Sequence, residues 1–343
     1  MRGRRGFAMA ADDRVGEKAI RRSLGIGGRV PGAVKTRAAK RKRVGWVLFS
    51  LAHVLGAVLV VLVMLPGRKT VPSPIPFLVA IALIECFYLV QFKRREKSRG
   101  AASWIVVLLW AFMIVWEVYT TKLNQLHPVL MPAPEAIFNV FATQYPELLL
   151  NVSSSLQLLV MGAVTALVAG VVLGTIVGWI PSLRDVLAPI ARVLAPIPSV
   201  VFAPYLVALT PSFRAASALI IFLGVFWPTF ISAINRVASI DRRIIESARM
   251  LEMGSFSMVT KILLPYIIPS VLGGLNMQLT SSITMLTFAE MLGASSGMGY
   301  YIINYTNFAN YTNVIAGIIV VGIVVTLLNW LINVVKRHAI KWR

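Results

Sequence analysis

Long apolar runs, each separated from the next by a short polar or charged interval, dominate the chain from residue 44 onward. Several of them reach the roughly 20 residues that an α-helix needs to cross a bilayer. A shorter amphipathic helix is predicted at Ala136–Phe141, ahead of the fourth run. The pattern therefore predicts an all-α polytopic membrane protein. Its eight predicted spans are Val44–Leu65, Phe77–Phe92, Ala101–Tyr119, Val152–Ile180, Val186–Leu209, Ala215–Ile234, Val271–Leu292 and Val314–Val335.

The composition agrees with this class. Hydrophobic residues make up 57% of the 343 positions and charged residues 14%, whereas soluble domains carry about 25% charged residues. Much of the formal charge of +21 lies in residues 1–43, which we expect to be a mostly disordered basic cytoplasmic tail. Such a tail acts either as a topology determinant alone or also as a ligand for anionic membrane lipid. Nucleic acid is not an expected partner.

Lys and Arg are divided unequally between the two sides of the membrane. With the tail in the cytoplasm, nearly all loop Lys and Arg fall on that side, which is the usual bias of membrane proteins. Eight spans then place both termini in the cytoplasm, together with the charged interval 236–270. The opposite loops hold only Arg68, Lys69, Lys122 and Arg214.

Residues 236–270 predict two short helices joined by a turn. The first begins at Asp241, which can cap it, and is broken by Gly254. The second can be capped by Ser255 and is ended or kinked by Pro265. A helix–turn–helix on the face of a membrane protein suits docking by a soluble partner. The apolar positions of the first helix have helical spacing: Ile244, Ala248 and Leu251.

The same interval resembles the "EAA" loop of bacterial ABC importer permeases. The resemblance is carried by Glu246-Ser247-Ala248 and, at the spacing of that motif, by Ile262-Leu263-Leu264-Pro265. Two positions depart from the pattern. Ser247 stands where the family usually has Ala, and Glu252 stands where it usually has Gly, with Gly254 two residues later. Because glycine permits positive φ, Glu252 leaves the geometry of this turn open.

From about Leu130 to the C-terminus the chain is similar to the nitrate, sulfonate and taurine branch of these permeases. The resemblance implies a type I importer core of about six transmembrane helices in residues 100–343. An extra transmembrane hairpin, residues 44–99, precedes this core. The role of the hairpin and of the tail stays open. The matching blocks are Met131–Pro134, Ala195–Pro198, Gly224–Pro228 and Ala289–Tyr300.

The resemblance also implies a function. The chain would be the transmembrane subunit of an ATP-driven importer in the bacterial cytoplasmic (inner) membrane. It would take a small solute from an external, periplasmic binding protein and move it inward by alternating access. The branch carries anions such as nitrate, sulfonates, taurine and bicarbonate, and the sequence does not identify which. Its implied partners are two ABC ATPase subunits and a second permease, either another copy or a related chain.

No catalytic residue, cofactor or metal is expected on this chain. The sequence contains no Gly-x-x-x-x-Gly-Lys-Ser/Thr phosphate loop, so ATP and Mg are expected on the separate ATPase. The histidines His53, His127 and His338 are scattered, and Cys86 is the single cysteine. The resemblance instead assigns ATPase coupling to residues of the loop: Glu246, Ser247, Ala248, Leu251, Glu252, Gly254, Phe256, Ile262 and Pro265.

The translocation path is expected along the fifth and seventh spans. Pro196 and Pro198 remove amide donors, so the fifth helix should be broken or kinked and should border a cavity. Glu290 either lines the path or outer gate, or caps the following Gly-rich turn by bonding its amides. Four further polar residues of the seventh span share a face that either lines the path or bonds neighbouring helices: Asn276, Thr280, Thr284 and Thr287.

Two other classes are weaker. A stand-alone secondary transporter or channel without an ATPase would need ionisable residues within its spans, and Glu85, Glu117 and Glu290 are few. A membrane-embedded enzyme would need clustered His or acids, which the sequence lacks. In the fourth span, small residues recur every four positions and predict a helix-packing seam: Gly162, Ala166, Gly170, Gly174 and Gly178.

Overall fold

The computed structural model describes residues 31–94 and 99–339, with side chains in 45–94 and 99–338. All regular structure in these ranges is helical, as predicted. Short π or 3-10 turns cover Val118–Lys122, Ser199–Phe202 and Val259–Leu263. The helices are α1 (Pro31–Met64), α2 (Ile75–Arg94), α3 (Arg99–Glu117), α4 (Pro134–Thr143), α5 (Tyr145–Trp179), α6 (Pro181–Leu194), α7 (Ala203–Leu209), α8 (Phe213–Ala238), α9 (Arg242–Met250), α10 (Ser255–Met258), α11 (Leu264–Met291), α12 (Met298–Asn307) and α13 (Tyr311–Ala339).

The first of two compact units contains α1, most of α2, and α3. His53 Nε2 lies 3.2 Å from Glu85 Oε1, and Trp110 Nε1 donates to Glu85 Oε2 over 3.3 Å. Tyr88 donates to Ser103 Oγ over 2.8 Å. Because these contacts join all three helices, α3 groups with the preceding hairpin. Residue 100, where the hairpin was predicted to meet the core, falls inside this unit.

The helix α1 begins at Pro31, whereas the first span was predicted to begin at Val44. Residues 31–43 are rich in Ala, Lys and Arg, which are strong helix formers, and proline suits a first helical turn. The predicted basic tail is thus helical over its last residues. Residues 1–30 of that tail, 95–98 of the basic run and 340–343 at the C-terminus lie outside the described residues.

The second unit is built on a seam between α5 and α8. A Cβ placed on any of four α5 glycines would lie 2.6–2.9 Å from atoms of α8, so only glycine allows this approach. The predicted packing seam is confirmed. Because the α8 partners advance together with the α5 glycines, the two helices run parallel. The pairs are Gly162 with Ile221, Gly170 with Thr229, Gly174 with Ala233 and Gly178 with Val237.

The parallel pair fixes the route of the chain between its two helices. The helix α6 and the segment Ser199–Leu209 are bent by 85° around a short break that contains Pro196 and Pro198. Since α5 ends and α8 begins at opposite ends of the pair, the bent segment must cross the full thickness of the unit. It is a broken span rather than a re-entrant loop. Seven described helices are long and apolar enough to cross a membrane. The bent pair corresponds to the fifth predicted span and brings the number of spans to the eight predicted.

The helix α11 runs antiparallel to α5 and α8. Gln278 Nε2 donates to the Val225 carbonyl over 2.9 Å, and Ser155 near the start of α5 donates to Glu290 near the end of α11 over 2.6 Å. With α13, the unit contains five crossings; the sixth predicted core span, α3, groups with the first unit. The inner end of the unit is recognised by its basic residues: Arg184, Arg192, Arg236, Arg249 and Lys261.

Two helices at the outer end begin earlier than predicted, α5 at Tyr145 and α4 at Pro134. The helix α5 begins at Tyr145 instead of Val152, because Pro146 and Glu147 favour a first helical turn that precedes the apolar run. The predicted helix at Ala136–Phe141 is present within α4, which packs against α13.

Candidate functional site

The segment from Arg242 to Leu263, hereafter the α9–α10 element, covers the inner end of the second unit. Asp241 caps α9 as predicted, since its carboxylate accepts from Arg243 N over 2.9 Å. Ala248 is buried and packs in one cluster with Met258 and Leu263. The element is therefore a folded surface with its own apolar core.

The α9–α10 element is also packed against three span ends. Its core is continuous with Val237 of α8 and Ile267 of α11. The Arg249 guanidinium lies 5.9 Å from the ring centroid of Trp179, the last residue of α5, a favourable cation–π geometry. A displacement of the element would consequently be transmitted to α5, α8 and α11 together.

The tip of the element carries large apolar side chains that nothing in the described chain covers. Met250 is 85% exposed, Leu251 76% and Phe256 81%. The neighbouring Glu246 and Ser247 are exposed as well. Since this end of the unit carries the basic residues of the cytoplasmic side, these side chains face water rather than lipid. Exposed apolar groups rimmed by charges are typical of a protein-docking surface.

Glu252 adopts the left-handed backbone conformation that a glycine would supply at this turn. Its φ is +53°, and its N–H donates to the Arg249 carbonyl over 2.9 Å. The chain thus keeps a left-handed residue at the usual glycine position, at a cost of roughly 1 kcal/mol for a residue with a side chain. The turn at Glu252 is therefore a left-handed one closed by a backbone hydrogen bond.

The second helix of the element differs from the prediction at both ends. Gly254, not Ser255, is the N-cap residue of α10, and Ser255 makes no capping bond. The helix also continues through Pro265 into α11. A π turn at Val259–Leu263 directly precedes this proline. Such a turn relieves the crowding that the ring and the missing amide would cause in a regular helix. The helices α10 and α11 are therefore one continuous helical segment, joined through the π turn.

At the outer end, side chains of α5 and α11 bind the first amides of α12. Gly297 N donates to Asn151 Oδ1 over 2.9 Å, Met298 N to Ser155 Oγ over 2.8 Å, and Gly299 N to Glu290 Oε2 over 2.7 Å. These amides have no partner within their own helix. We call these six residues the outer amide cluster.

Glu290 is the acid at the centre of this cluster. It is 1% exposed and accepts from both Ser155 Oγ and Gly299 N. A carboxylate at a helix N-terminus is also favoured by the helix dipole. These are the contacts of a residue that caps the Gly-rich turn, and the side chain does not reach an open surface. Asn151 and Ser155 were not singled out from the sequence, although their i, i+4 spacing places them on one face of α5.

The polar stripe of α11 divides in the structure. Thr280 and Thr284 are exposed, and Thr287 is half-buried; each hydroxyl donates to the carbonyl four residues earlier. Asn276 instead donates to Asn329 Oδ1 of α13 over 2.8 Å, so it joins two helices. The helix-bonding interpretation thus applies to Asn276, and a path-lining role for Thr280, Thr284 and Thr287 stays a prediction.

The broken span lies beside α8. Pro196 and Pro198 are exposed at the break, whereas Ser199 is buried against Gly224, where a Cβ would lie 2.8 Å from Ser199 Oγ. Pro196 and Pro198 therefore remain candidates for the border of a path. Within the residues that the structure describes, no group of three or more His, Cys, Asp or Glu is placed to hold a metal ion.

A second polar group joins α12 to α13 and to the start of α5. Tyr301 donates to Gln144 Oε1 over 3.2 Å, and Asn313 Nδ2 donates to the same oxygen over 2.6 Å. Burial raises the pKa of the Tyr301 phenol far above its usual range, with smaller contributions from Tyr305 and Glu147. The phenol therefore stays a donor.

Comparison with known families gives one match. The model of a family described as binding-protein-dependent transport system inner membrane component matches residues 166–341. This range contains most of the α5–α8 seam, the broken span, the α9–α10 element and the outer end of α11.

Similar proteins and structures point the same way. The chain is 26% identical over 260 residues to the taurine transport system permease protein TauC of Escherichia coli, covering 73% of this chain and 94% of that one. It is 30% identical over 190 residues to the nitrate import permease protein NrtB of Leptolyngbya laminosa, covering 55% and 68%. Its fold matches a solved bacterial ABC transporter involved in import of the acidic polysaccharide alginate, with a TM-score of 0.50, 17% identity and coverage of 75% and 98%.

Proposed function

The chain belongs to the family of binding-protein-dependent transport system inner membrane components, and we propose that a separate cytoplasmic ATPase drives it through the α9–α10 element. The proposal makes this multi-pass subunit the permease of an ATP-driven importer. In it, ATP-dependent closure of the ATPase pair would move the element, and the spans would alternate between outward-open and inward-open states. An external binding protein would deliver the solute, and a second permease would complete the path.

The observation that carries this proposal is the exposed tip of the α9–α10 element. Leu251 and Phe256 are 76% and 81% exposed in water. Burying a Leu or Phe side chain contributes about 1.5–3 kcal/mol, so a groove that accepted both would gain affinity from few residues. The apolar core beneath them, built on Ala248 and Met258, holds the tip rigid. A rigid tip loses little entropy on docking.

The solute we propose is a small oxyanion such as taurine, another sulfonate or nitrate. The names of the similar permeases support this class. The chemistry of α11 fits it as well, since Glu290 is the single acid of that helix and is 1% exposed. The exposed face with Thr280 and Thr284 therefore carries no negative charge that would repel a passing anion. Weak contacts suit a path that must release its solute.

The direct test is copurification of this chain with a cognate ABC ATPase. We expect detergent-solubilised wild-type protein to retain it, and Leu251→Asp or Phe256→Asp to lose it by at least about tenfold, since truncating a buried anchor commonly costs about 2 kcal/mol or more. Phe308→Asp is the matched control. Phe308 is 75% exposed, but it lies in the loop between α12 and α13 at the outer end.

Solute uptake then separates the two classes of transporter. Proteoliposomes that contain the permease, the ATPase and the binding protein should accumulate taurine, ethanesulfonate or nitrate only with ATP. If the wild-type chain retains no ATPase and an ion gradient alone drives uptake, the ATP-driven proposal is wrong. The chain would then be a secondary transporter.

A further inference from the structure

The glycines of the second unit fall into two kinds. At Gly174 of α5 a Cβ would lie 2.6 Å from the Phe230 carbonyl, so packing requires glycine there. At Gly273 and Gly274, in the interior of α11, a Cβ would meet no atom within 4 Å. Packing among the described residues of this chain does not explain this second pair. Each glycine lowers the equilibrium constant for helix formation by about fivefold relative to alanine, so the pair softens α11 at one point.

Two prolines weaken the same segment of α11. Pro265, Pro269 and Gly273 are spaced four residues apart and so lie on one face of the helix. Pro269 has no N–H to donate to the Pro265 carbonyl, which would be its helical partner. Prolines and glycine pairs are the usual sites at which helices bend. The helix is thus weakest between the α9–α10 element and its outer half.

A lysine from α13 reaches this weak point. Lys336 Nζ donates to the Gly273 carbonyl over 3.0 Å and to Asn276 Oδ1 over 2.5 Å. Asn276 in turn donates to Asn329 of α13. The Gly273 carbonyl, whose helical donor is the Met277 amide, therefore has a second donor that is charged. Hydrogen bonds with a charged partner are about twice as strong as neutral ones.

We propose that Gly273–Gly274 is a hinge in α11 and that Lys336 is the positioning residue that holds it in the observed geometry. The helix α10 continues without a break into the segment Leu264–Leu272, and α9 packs on α10 through Ala248, so the three parts move as one lever on the inner side of the hinge. On the outer side, Glu290 is fixed in the outer amide cluster. This inference rests on the proposed function, because the ATPase is what would move the lever.

The hinge is tested by stiffening it. The double variant Gly273→Ala, Gly274→Ala should fold normally, since both positions are open. In proteoliposomes that contain the permease–ATPase complex, we expect its ATP hydrolysis to fall between about fivefold and about twenty-fivefold, as one or both glycine effects are removed. Gly322→Ala is the matched control. Gly322 lies inside α13 with no atom within 4 Å of a Cβ, and that helix does not lead into the element.

The positioning role of Lys336 is tested by a substitution that removes its hydrogen bonds to α11. Lys336→Met should raise ATP hydrolysis in the absence of binding protein by about tenfold, as expected when charge-assisted hydrogen bonds to Gly273 and Asn276 are lost. Lys336→Arg keeps a charged donor and should restore the wild-type rate. Hydrogen exchange at the Met277 amide should be faster in Lys336→Met and slower in the double alanine variant. If Lys336 served only folding, Lys336→Met would not change exchange selectively at the Met277 amide, the amide that the double alanine variant changes in the opposite direction.

Two results would overturn the hinge alone: wild-type rates and exchange in the ATPase-bound double alanine variant, or an equal loss in Gly322→Ala. A wild-type chain that retains no ATPase would overturn the proposed function first, and the hinge with it. The copurification step therefore distinguishes the two failures.

Discussion

The outer and inner ends of the second unit are held together by different forces. At the outer end, buried polar groups of three helices satisfy one another, and Glu290 is 1% exposed at their centre. At the inner end, the α9–α10 element is held by apolar packing around Ala248 and leaves Leu251 and Phe256 in water. Buried hydrogen bonds fix one geometry because leaving any group unpaired is costly. Apolar packing with an exposed tip leaves a surface free to bind. The outer end is thus held in one geometry, whereas the inner end exposes an apolar tip, the surface that we propose the ATPase binds.

The largest expected effect on stability comes from replacing Glu290, the centre of the outer amide cluster. Glu290→Ala leaves the Ser155 hydroxyl and the Gly299 amide without their acceptor. Each unsatisfied buried group costs about 1–3 kcal/mol, so we expect the free energy of unfolding in detergent to fall by about 2–5 kcal/mol. Glu147→Ala is the control, since this acid is exposed at the same end and bonds only Tyr305 over 3.3–3.4 Å. Equal losses for the two variants would remove the contrast between the ends.

The second-largest expected effect tests whether close packing of α5 on α8 extends toward the inner end. Gly174 lies in the inner half of α5, where a Cβ would be 2.6 Å from the Phe230 carbonyl and 2.7 Å from Ala233 Cβ. Gly174→Ala should therefore lower the free energy of unfolding by about 1–3 kcal/mol, the usual cost of overpacking. Gly322→Ala, with open space, should leave it unchanged or raise it by up to about 1 kcal/mol. A neutral Gly174→Ala would place the loose region in α5 as well as α11.

Much of this fold could be predicted because bilayer crossing is a strong constraint on sequence. The length of an apolar run and the sign of the flanking charge decide the spans, and both are local properties. The four-residue repeat of small residues in α5 likewise predicted its seam. The grouping of α3 with the hairpin could not be predicted, because it depends on contacts such as that between Trp110 and Glu85, which are distant in sequence.

The candidate sites were predictable to different degrees for the same reason. The α9–α10 element lies in one charged interval, so its apolar spacing and its Asp241 cap could be seen in the sequence. The outer amide cluster brings together Asn151 and Gly297, whose bond joins residues 146 positions apart. No local pattern predicts that bond. The role of Pro265 was missed because a π turn, which has no simple sequence signal, lets the helix continue past it.

A smaller effect concerns the strained turn of the α9–α10 element. Glu252 has a φ of +53°, which glycine adopts without cost. Glu252→Gly should stabilise the element by up to about 1 kcal/mol, whereas Glu252→Ala, which keeps a Cβ, should not. Thermal unfolding of the detergent-solubilised chain measures the gain. If glycine and alanine act alike, the side chain rather than the backbone decides this position, and docking to the ATPase becomes its natural role.

The smallest effect returns to the outer end and to its pH dependence. Burial raises the pKa of Tyr301, and burial followed by the charge of Glu147 raises that of Tyr305. A raised pKa means that the folded chain holds these phenol protons more tightly than the unfolded chain, whose tyrosines titrate near pH 10. The stability they contribute is therefore complete below about pH 10 and is lost as the pH rises through the folded-state values. Tyr301→Phe should lower the thermal midpoint slightly at pH 8, because the bond to Gln144 is lost, and should make the decline above pH 10 shallower. An equally steep decline in this variant would show that other groups set the alkaline limit of stability. The rigidity of the outer end would then depend on the outer amide cluster alone.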